Sequence, residues 1–385
     1  MKIHLVLTDD WELRGDGSGN MRSIQFGTMR KLTRIYEKFG LRCSFNVEVM
    51  QQLQHMKHGR HYPILLDLAR EWEDLVKESY SKGHDIQLHV HPQWHNARYE
   101  NGKWYLSNRW SILDYSEENI RHILRDCKQY LEDLIRPINP DYRSVAFRSG
   151  AWAVAPCDYL FPILREIGIV FDMSIVSGLY YNFGMVKLDY RNIDEPFLPY
   201  YPQMHDARHL ASSIQPIVCV PTHSFIFKRS LRSKLMYISI REIFPSCWRA
   251  DFLSPSGTQI DNSGTSQDYS EKLWVAKNNQ ELNQISMLKR LLFSKKEHIV
   301  SDLAQLSYEK MKVMLQDIRR KAWSSGCPVV PVIIENHTKD IGDFGPIVKF
   351  CTALIKAKDI EVITSRELAN NIQSGLYPIR KANLG

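Results

Sequence analysis

The sequence predicts an α/β fold in which parallel strands alternate with crossover helices. Short apolar runs recur between stretches of helical periodicity, and glycines close several of those stretches. Acids, imidazoles and a guanidinium also gather where the apolar runs end, which is where parallel α/β folds place their chemistry.

KIHLVLT (2–8) reads as a buried strand that runs into Asp9 and Asp10. Residues 24–39 carry Ile24, Met29, Leu32, Ile35, Tyr36 and Phe39 at helical spacing, with Gly40 as a C-cap. LRCSFNVE (41–48) is the next strand, followed by a helix over 63–82, closed at Gly83, and a strand over 84–90. The stripe Ile120, Ile123, Leu124, Cys127, Leu131 and Leu134 marks a helix over 117–135. A strand at 144–148, a helix at 156–167 ending on Gly168 and a strand at 169–174 follow. Near the C-terminus come helix 307–324, strand 329–335, helix 344–356, strand 360–363 and a last helix after Thr364.

Between about 176 and 300 the rhythm lengthens. Only IVCVPTH (217–223) reads as a strand there, with helical pieces near 231–243 and 271–293 and turn-formers over 254–268. This stretch is read as a large insertion or an elaborated barrel segment. Residues 228–249 hold six basic side chains against Glu242 alone. Such a run is either a solvated helix face or a contact for an anionic glycan, a lipid-linked pyrophosphate or a membrane surface.

Composition narrows the class. At 385 residues, 44% apolar and 24% charged, the chain can bury a large core, as one barrel-sized domain or two smaller units. No run of about eighteen apolar residues suggests a membrane span. MKIHLVLTDDW lacks the core and cleavage site of a signal peptide, and the seven cysteines are scattered without a CxxC. Both point to a cytoplasmic location. The net charge of +7 favours an anionic partner, yet no Lys/Arg–aromatic ladder supports nucleic-acid binding.

The site candidates lie at four strand ends. These are Asp9–Asp10, His89–Val90–His91, Arg148, and Glu335–Asn336–His337. Alternate residues of a strand share a face, so His89 and His91 point together while Val90 faces away. Two imidazoles and a carboxylate from the first strand make a two-histidine, one-carboxylate metal site with positions left open. A divalent ion there lowers the pKa of water from about 15.7 to about 7.

Five segments in order, LTDDW, GHDIQLHVH, FRSGAW, VFDMS and IIENHT, resemble the motifs of the NodB-type polysaccharide deacetylases, carbohydrate esterase family 4. The closing SRELANNI also resembles the end of that domain, and the cytoplasmic branch without a signal peptide is the most similar. The resemblance implies a distorted (β/α)7 barrel over 1–372, elaborated at about 176–300, with a tail at 373–385. It also implies a hydrolase of non-peptide C–N bonds that removes N-acetyl groups from the amino sugars of a poly- or oligosaccharide. Zinc or another divalent ion (Co2+, Ni2+ or Mn2+) is the implied cofactor. By position, Asp9 matches the general base, Asp10 the metal carboxylate and His89 the first metal histidine. Arg148 matches the arginine that orients the base, and His337 the acid that protonates the leaving amine.

Departures from the pattern set further expectations. The usual second metal histidine lies four residues after the first, where this chain has Gln93. His91, on the strand face of His89, is preferred for that role, with His95 as the alternative. Trp152 is either a sugar-stacking wall or a core residue, and Asp172 either supports Arg148 or is a plain strand-end acid. Competing readings are a deformylase or ureide amidohydrolase on the same scaffold and a non-catalytic glycan-binding assembly protein. A glycosidase is disfavoured because Asp9–Asp10 reads as base plus ligand rather than as a catalytic pair.

Overall fold

The computed structural model describes residues 1–183, 186–227 and 297–382. The basic run at 228–249, the turn cluster at 254–268 and the helical pieces near 231–243 and 271–293 lie outside these residues. Eight parallel strands form the central sheet. They are β1 (Lys2–Trp11), β2 (Ser44–Glu48), β3 (Asp85–Val90), β4 (Ala146–Ser149), β5 (Phe171–Asp172), β6 (Val218–Cys219), β7 (Val329–Ile334) and β8 (Ile360–Ile363). The spatial order is β6-β5-β4-β3-β2-β1-β7, with β8 also beside β1.

The sheet curls into a barrel that isolated bridges close. Thr222, just beyond β6, bridges Val176 on one side and Ile333 of β7 on the other. On the flank away from β7, β1 changes neighbour midway: Ile3–Val6 pair with β8, and Thr8–Trp11 pair with β2. Seven strands therefore surround the C-terminal rim, the distorted (β/α)7 arrangement.

Helices α1 (Thr28–Lys38), α2 (Val49–Gly59), α3 (Pro63–Ser81), α4 (Glu117–Ile135), α5 (Leu160–Glu166), α6 (Tyr308–Ser325), α7 (Gly345–Lys356) and α8 (Ser365–Gln373) accompany the strands. All but α2 fall within a few residues of the sequence expectation. VMQQLQHMKHG lacks an apolar stripe because the face it buries carries Gln51, Gln52 and His55 alongside Val49 and Met50. Its start is fixed by the Glu48 side chain, which accepts the Gln51 N–H at 3.1 Å. The described part of 176–300 consists largely of antiparallel pairs: Tyr180–Phe183 with Val186–Asp189, Pro202–Gln203 with Asp206–Leu210, and Ser224–Phe227 with Glu297–Val300. No helix among the described residues is long and apolar enough to cross a membrane.

One buried polar clip sets the spacing of the strands that carry the site. Gln87 of β3 accepts the backbone N–H groups of Val145 and Ala146 at 2.8 and 2.9 Å, and donates to Asp85 at 2.9 Å. Asp85 in turn accepts the Arg366 N–H, which ties α8 to the same point. Gln87→Leu leaves two N–H donors unmet, that of Ala146 buried and that of Val145 partly so, and a buried unmet donor costs about 1–3 kcal/mol. The variant is expected to lose at least about 2 kcal/mol in urea unfolding. An unchanged unfolding midpoint would show that the clip contributes little.

Candidate functional site

The strand register builds the site in rows across the barrel mouth. Asp10 pairs with Asn46, Glu48 with His89, and His89 with Arg148. Beyond β7, His337 bridges Asp10 directly. Because side chains alternate along each strand, Asp10 and Glu12, Asn46 and Glu48, His89 and His91, and Glu335 and His337 form four same-face pairs.

Glu12, Glu48, His89 and His91 come together as a buried group whose donor atoms all lie within 4.8 Å of one another. His89 Nε2 is 3.1 Å from Glu12 Oε2, and His91 Nε2 meets the same oxygen. His89 Nδ1 lies 2.8 Å from the Arg148 carbonyl and donates to it, which leaves Nε2 to face the carboxylates. Gln93 occupies the position of the usual second histidine, and its amide lies 2.9 Å from His91 Nδ1. Glu12 is braced from both sides. Trp11 stacks on Trp72 at 5.3 Å and exchanges hydrogen bonds with Gln25, while the Leu13 N–H donates to Gln51.

These residues fit a divalent cation. Glu48 Oε2 is buried without a hydrogen-bond partner, which is costly unless a cation satisfies it. Burial alone would lower the His89 pKa, but Asp10, Glu12 and Glu48 push it up to about 9. Burial raises the Glu12 carboxyl, yet His91, Lys339 and His89 hold it well below the usual range.

Asp10 stands beside this group. Its Oδ1 accepts from Arg148 at 2.6 Å and from Asn46 at 2.8 Å. Its Oδ2 lies 3.9 Å from His89 Nε2 and 3.7 Å from His337 Nε2. Burial opposes ionisation, but Arg148, His89 and His337 outweigh it and lower the Asp10 pKa. Arg148 is itself fully buried, its second amino group donating to Thr222 at 3.1 Å. The His337 Nδ1 lies 2.9 Å from Asp302, a residue reached by the strand-like 301–303 segment beside β7. Burial would lower the His337 pKa, but Asp302 and Asp10 raise it well above 6.5.

Asp9 is absent from this gathering because it faces the other way. Its carboxylate meets the Asn336 amide, another residue of the outer face, and its charge is felt by Tyr36 and Cys43 in the layer outside the barrel. Burial pushes its pKa well above 3.8. Asp172 accepts both the backbone N–H and the hydroxyl of Ser174, and burial raises its pKa to about 7. The Arg148 hydrogen bonds go to Asp10 and Thr222 instead. His95 packs edge-on against Tyr115 at 5.8 Å, outside the group formed by Glu12, Glu48, His89 and His91.

A second group, Asp302, Glu335 and His337, also has metal-ligand spacing. Arg148 lies 3.8 Å from Glu335, which disfavours a second cation there. Glu335 Oε2 accepts the Trp152 indole N–H at 3.1 Å, while its Oε1 is buried without a partner. The Trp152 ring stands edge-on to His337 at 5.8 Å. Ala151 and Trp152 both adopt left-handed backbone angles, φ 55° and 54°. That conformation costs about 1–2 kcal/mol per non-glycine residue, strain concentrated where the indole is aimed at the site.

Glu12 and Glu48 are the main residues that sequence reading passed over. The rule that paired His89 with His91 also pairs Asp10 with Glu12 and places Glu48 at its strand end. Asp302 gave no such signal, because its contact with His337 spans 35 residues.

The sequence matches no protein-family model and no curated protein. Among solved structures, the chain is similar to one assigned as a polysaccharide deacetylase from Mycobacterium smegmatis, at 12% identity, covering 100% of this chain and 94% of that one with a TM-score of 0.46. It is also similar to one assigned likewise from Pseudomonas aeruginosa PAO1, at 11% identity over 97% and 91% of the two chains with a TM-score of 0.47. Puue allantoinase is matched at 11% identity over 97% and 90%, with a TM-score of 0.46.

Two outcomes follow from the electrostatics. Since Asp302 is the main group raising the His337 pKa, Asp302→Asn is expected to lower the pH at which the His337 imidazole C–H resonances titrate. An unmoved titration would remove Asp302 from that role. The raised Asp9 pKa gives stability present below its unfolded value, near 3.9, and lost as pH rises through the folded one. Asp9→Asn, neutral and of the same shape, is therefore expected to leave stability at pH 7 unchanged or higher in urea unfolding. A clear loss at pH 7 would show that the ionised form is the one the fold uses.

Proposed function

We propose that this protein is a metal-dependent amide hydrolase that removes acetyl groups from N-acetylated amino sugars of a poly- or oligosaccharide. The observation that carries this reading is Asp10, held by Arg148 and standing between His89 of the metal-holding group and His337 of the Asp302 pair. Glu12, His89 and His91 would hold the divalent ion, zinc or a similar metal, which when bound acidifies water and polarises the amide carbonyl.

Asp10, kept ionised by Arg148, is proposed to take the proton of the attacking water. His337, kept protonated by Asp302, gives its proton to the departing nitrogen, since an amide anion is too basic to leave unprotonated. Water adds to the acyl carbon, the C–N bond breaks, and the products are the free amine and acetate. Relative to the family pattern, the base role moves from Asp9 to Asp10 and the carboxylate ligand from Asp10 to Glu12. Trp152, beside His337, is suited to stack on the sugar. The glycan is the proposed partner. An anionic or lipid-linked form, and a cytoplasmic setting, rest on sequence features alone.

Acetate release from N-acetylated glycans tests the assignment. Asp10→Asn is expected to cut turnover at least a hundredfold with metal content kept, the scale of a general base. Asp9→Asn is expected to keep most activity. The reverse pattern would return the base role to Asp9.

Glu335 favours a second reading. Its unpartnered Oε1 would be satisfied by a substrate N–H beside the scissile carbonyl, which a ureide offers and an acetyl methyl does not. Side-by-side assays of N-acetyl and N-carbamoyl derivatives of one amino sugar distinguish the two. Faster release from the carbamoyl compound, lost in Glu335→Leu, would select the ureide amidohydrolase.

A further inference from the structure

We propose that Glu48 is a fourth protein ligand of the divalent ion, giving a two-histidine, two-carboxylate set. The inference rests on reading Glu12, His89 and His91 as the other three. Glu48 ends β2 and stands in register beside His89, on the face that carries the imidazoles. It is fully buried, and its two oxygens have different fates. Oε1 accepts the Gln51 N–H at 3.1 Å and caps α2. Oε2 has no hydrogen-bond partner, although Glu48 belongs to the cluster whose donor atoms lie within 4.8 Å of one another.

Glu12 is divided in the same way. Its Oε1 takes the Lys339 ammonium at 2.5 Å, and its Oε2 faces both imidazoles. Each carboxylate is thus tied by one oxygen to the fold, and both belong to the cluster. A buried carboxylate oxygen with no donor is unfavourable, and a cation shared with Glu12 removes the penalty and the repulsion together. Two carboxylates neutralise a divalent charge, so water at such an ion is acidified less than at a three-histidine site. A separate base such as Asp10 is then required. The oxygen donors also suit Mn2+ and Co2+ as well as zinc. Because Glu48 caps α2, metal occupancy and the order of that helix are coupled.

The test uses the full chain, stripped with chelator and titrated with Co2+ by calorimetry and visible absorption. Glu48→Gln keeps the size of the side chain and removes its charge. It is expected to weaken Co2+ binding at least about tenfold and to change the ligand-field spectrum, with the metal-free melting temperature checked alongside. Wild-type affinity and spectrum in Glu48→Gln, with binding lost in Glu12→Gln, would overturn the Glu48 inference alone. Unchanged binding in both would overturn the underlying ligand assignment. Should Glu48→Gln fail to fold, hydrogen exchange on the wild type decides. Added Co2+ is expected to protect the α2 amides selectively over those of α7, and equal protection of the two helices would overturn the proposal.

Discussion

A β-strand presents only every second side chain to one face, and at the rim of this barrel that alternation governs which groups can meet. Asp10 and Glu12, Asn46 and Glu48, His89 and His91, and Glu335 and His337 all face the mouth. Asp9, just before Asp10, and Asn336, between Glu335 and His337, meet each other on the outer face. The register among β1, β2, β3 and β4 then sets these groups side by side. Shifting any one strand by a single residue would turn its pair out of the site. The Gln87 clip and the Trp11–Trp72 stack matter for function because they fix that register and the course of the chain at the strand ends.

The same constraint distributes charge. Three carboxylates fall within four residues of β1 and its end, in three different environments. Asp9 is buried against the outer layer and pushed toward its acid form. Arg148 and Asn46 grip Asp10, which is kept ionised. Lys339 holds one oxygen of Glu12 and leaves the other to two imidazoles. Asp10 and Glu12 are thus both held low by cationic neighbours, whereas burial dominates at Asp9. His337, with Asp302 behind it, supplies the opposite bias on the far side of Asp10.

All eight sheet strands and most helices were legible in the sequence, because buried parallel strands read as short apolar runs and their helices as 3.6-residue stripes. The helix α2 was not, since glutamines and a histidine occupy much of the face it buries. His89, His91, Arg148 and His337 were legible as strand-end groups, and they do gather at one rim. The choice between Asp9 and Asp10 was drawn from motif position, whereas side-chain alternation in β1 decides which of them faces the barrel. Glu12 and Glu48 could have been found by applying that alternation to every strand end. Asp302 could not, because its approach to His337 depends on how the 301–303 segment lies along β7.

The most direct test of this account is anomalous diffraction from crystals loaded with zinc, recorded at the metal edge. The account predicts a single ion bonded to Glu12, His89 and His91 at about 2.0–2.2 Å, with Asp10 outside its coordination sphere and still paired with Arg148. An ion bonded to Asp10, with the Asp9 carboxylate turned inward beside it, would contradict the account.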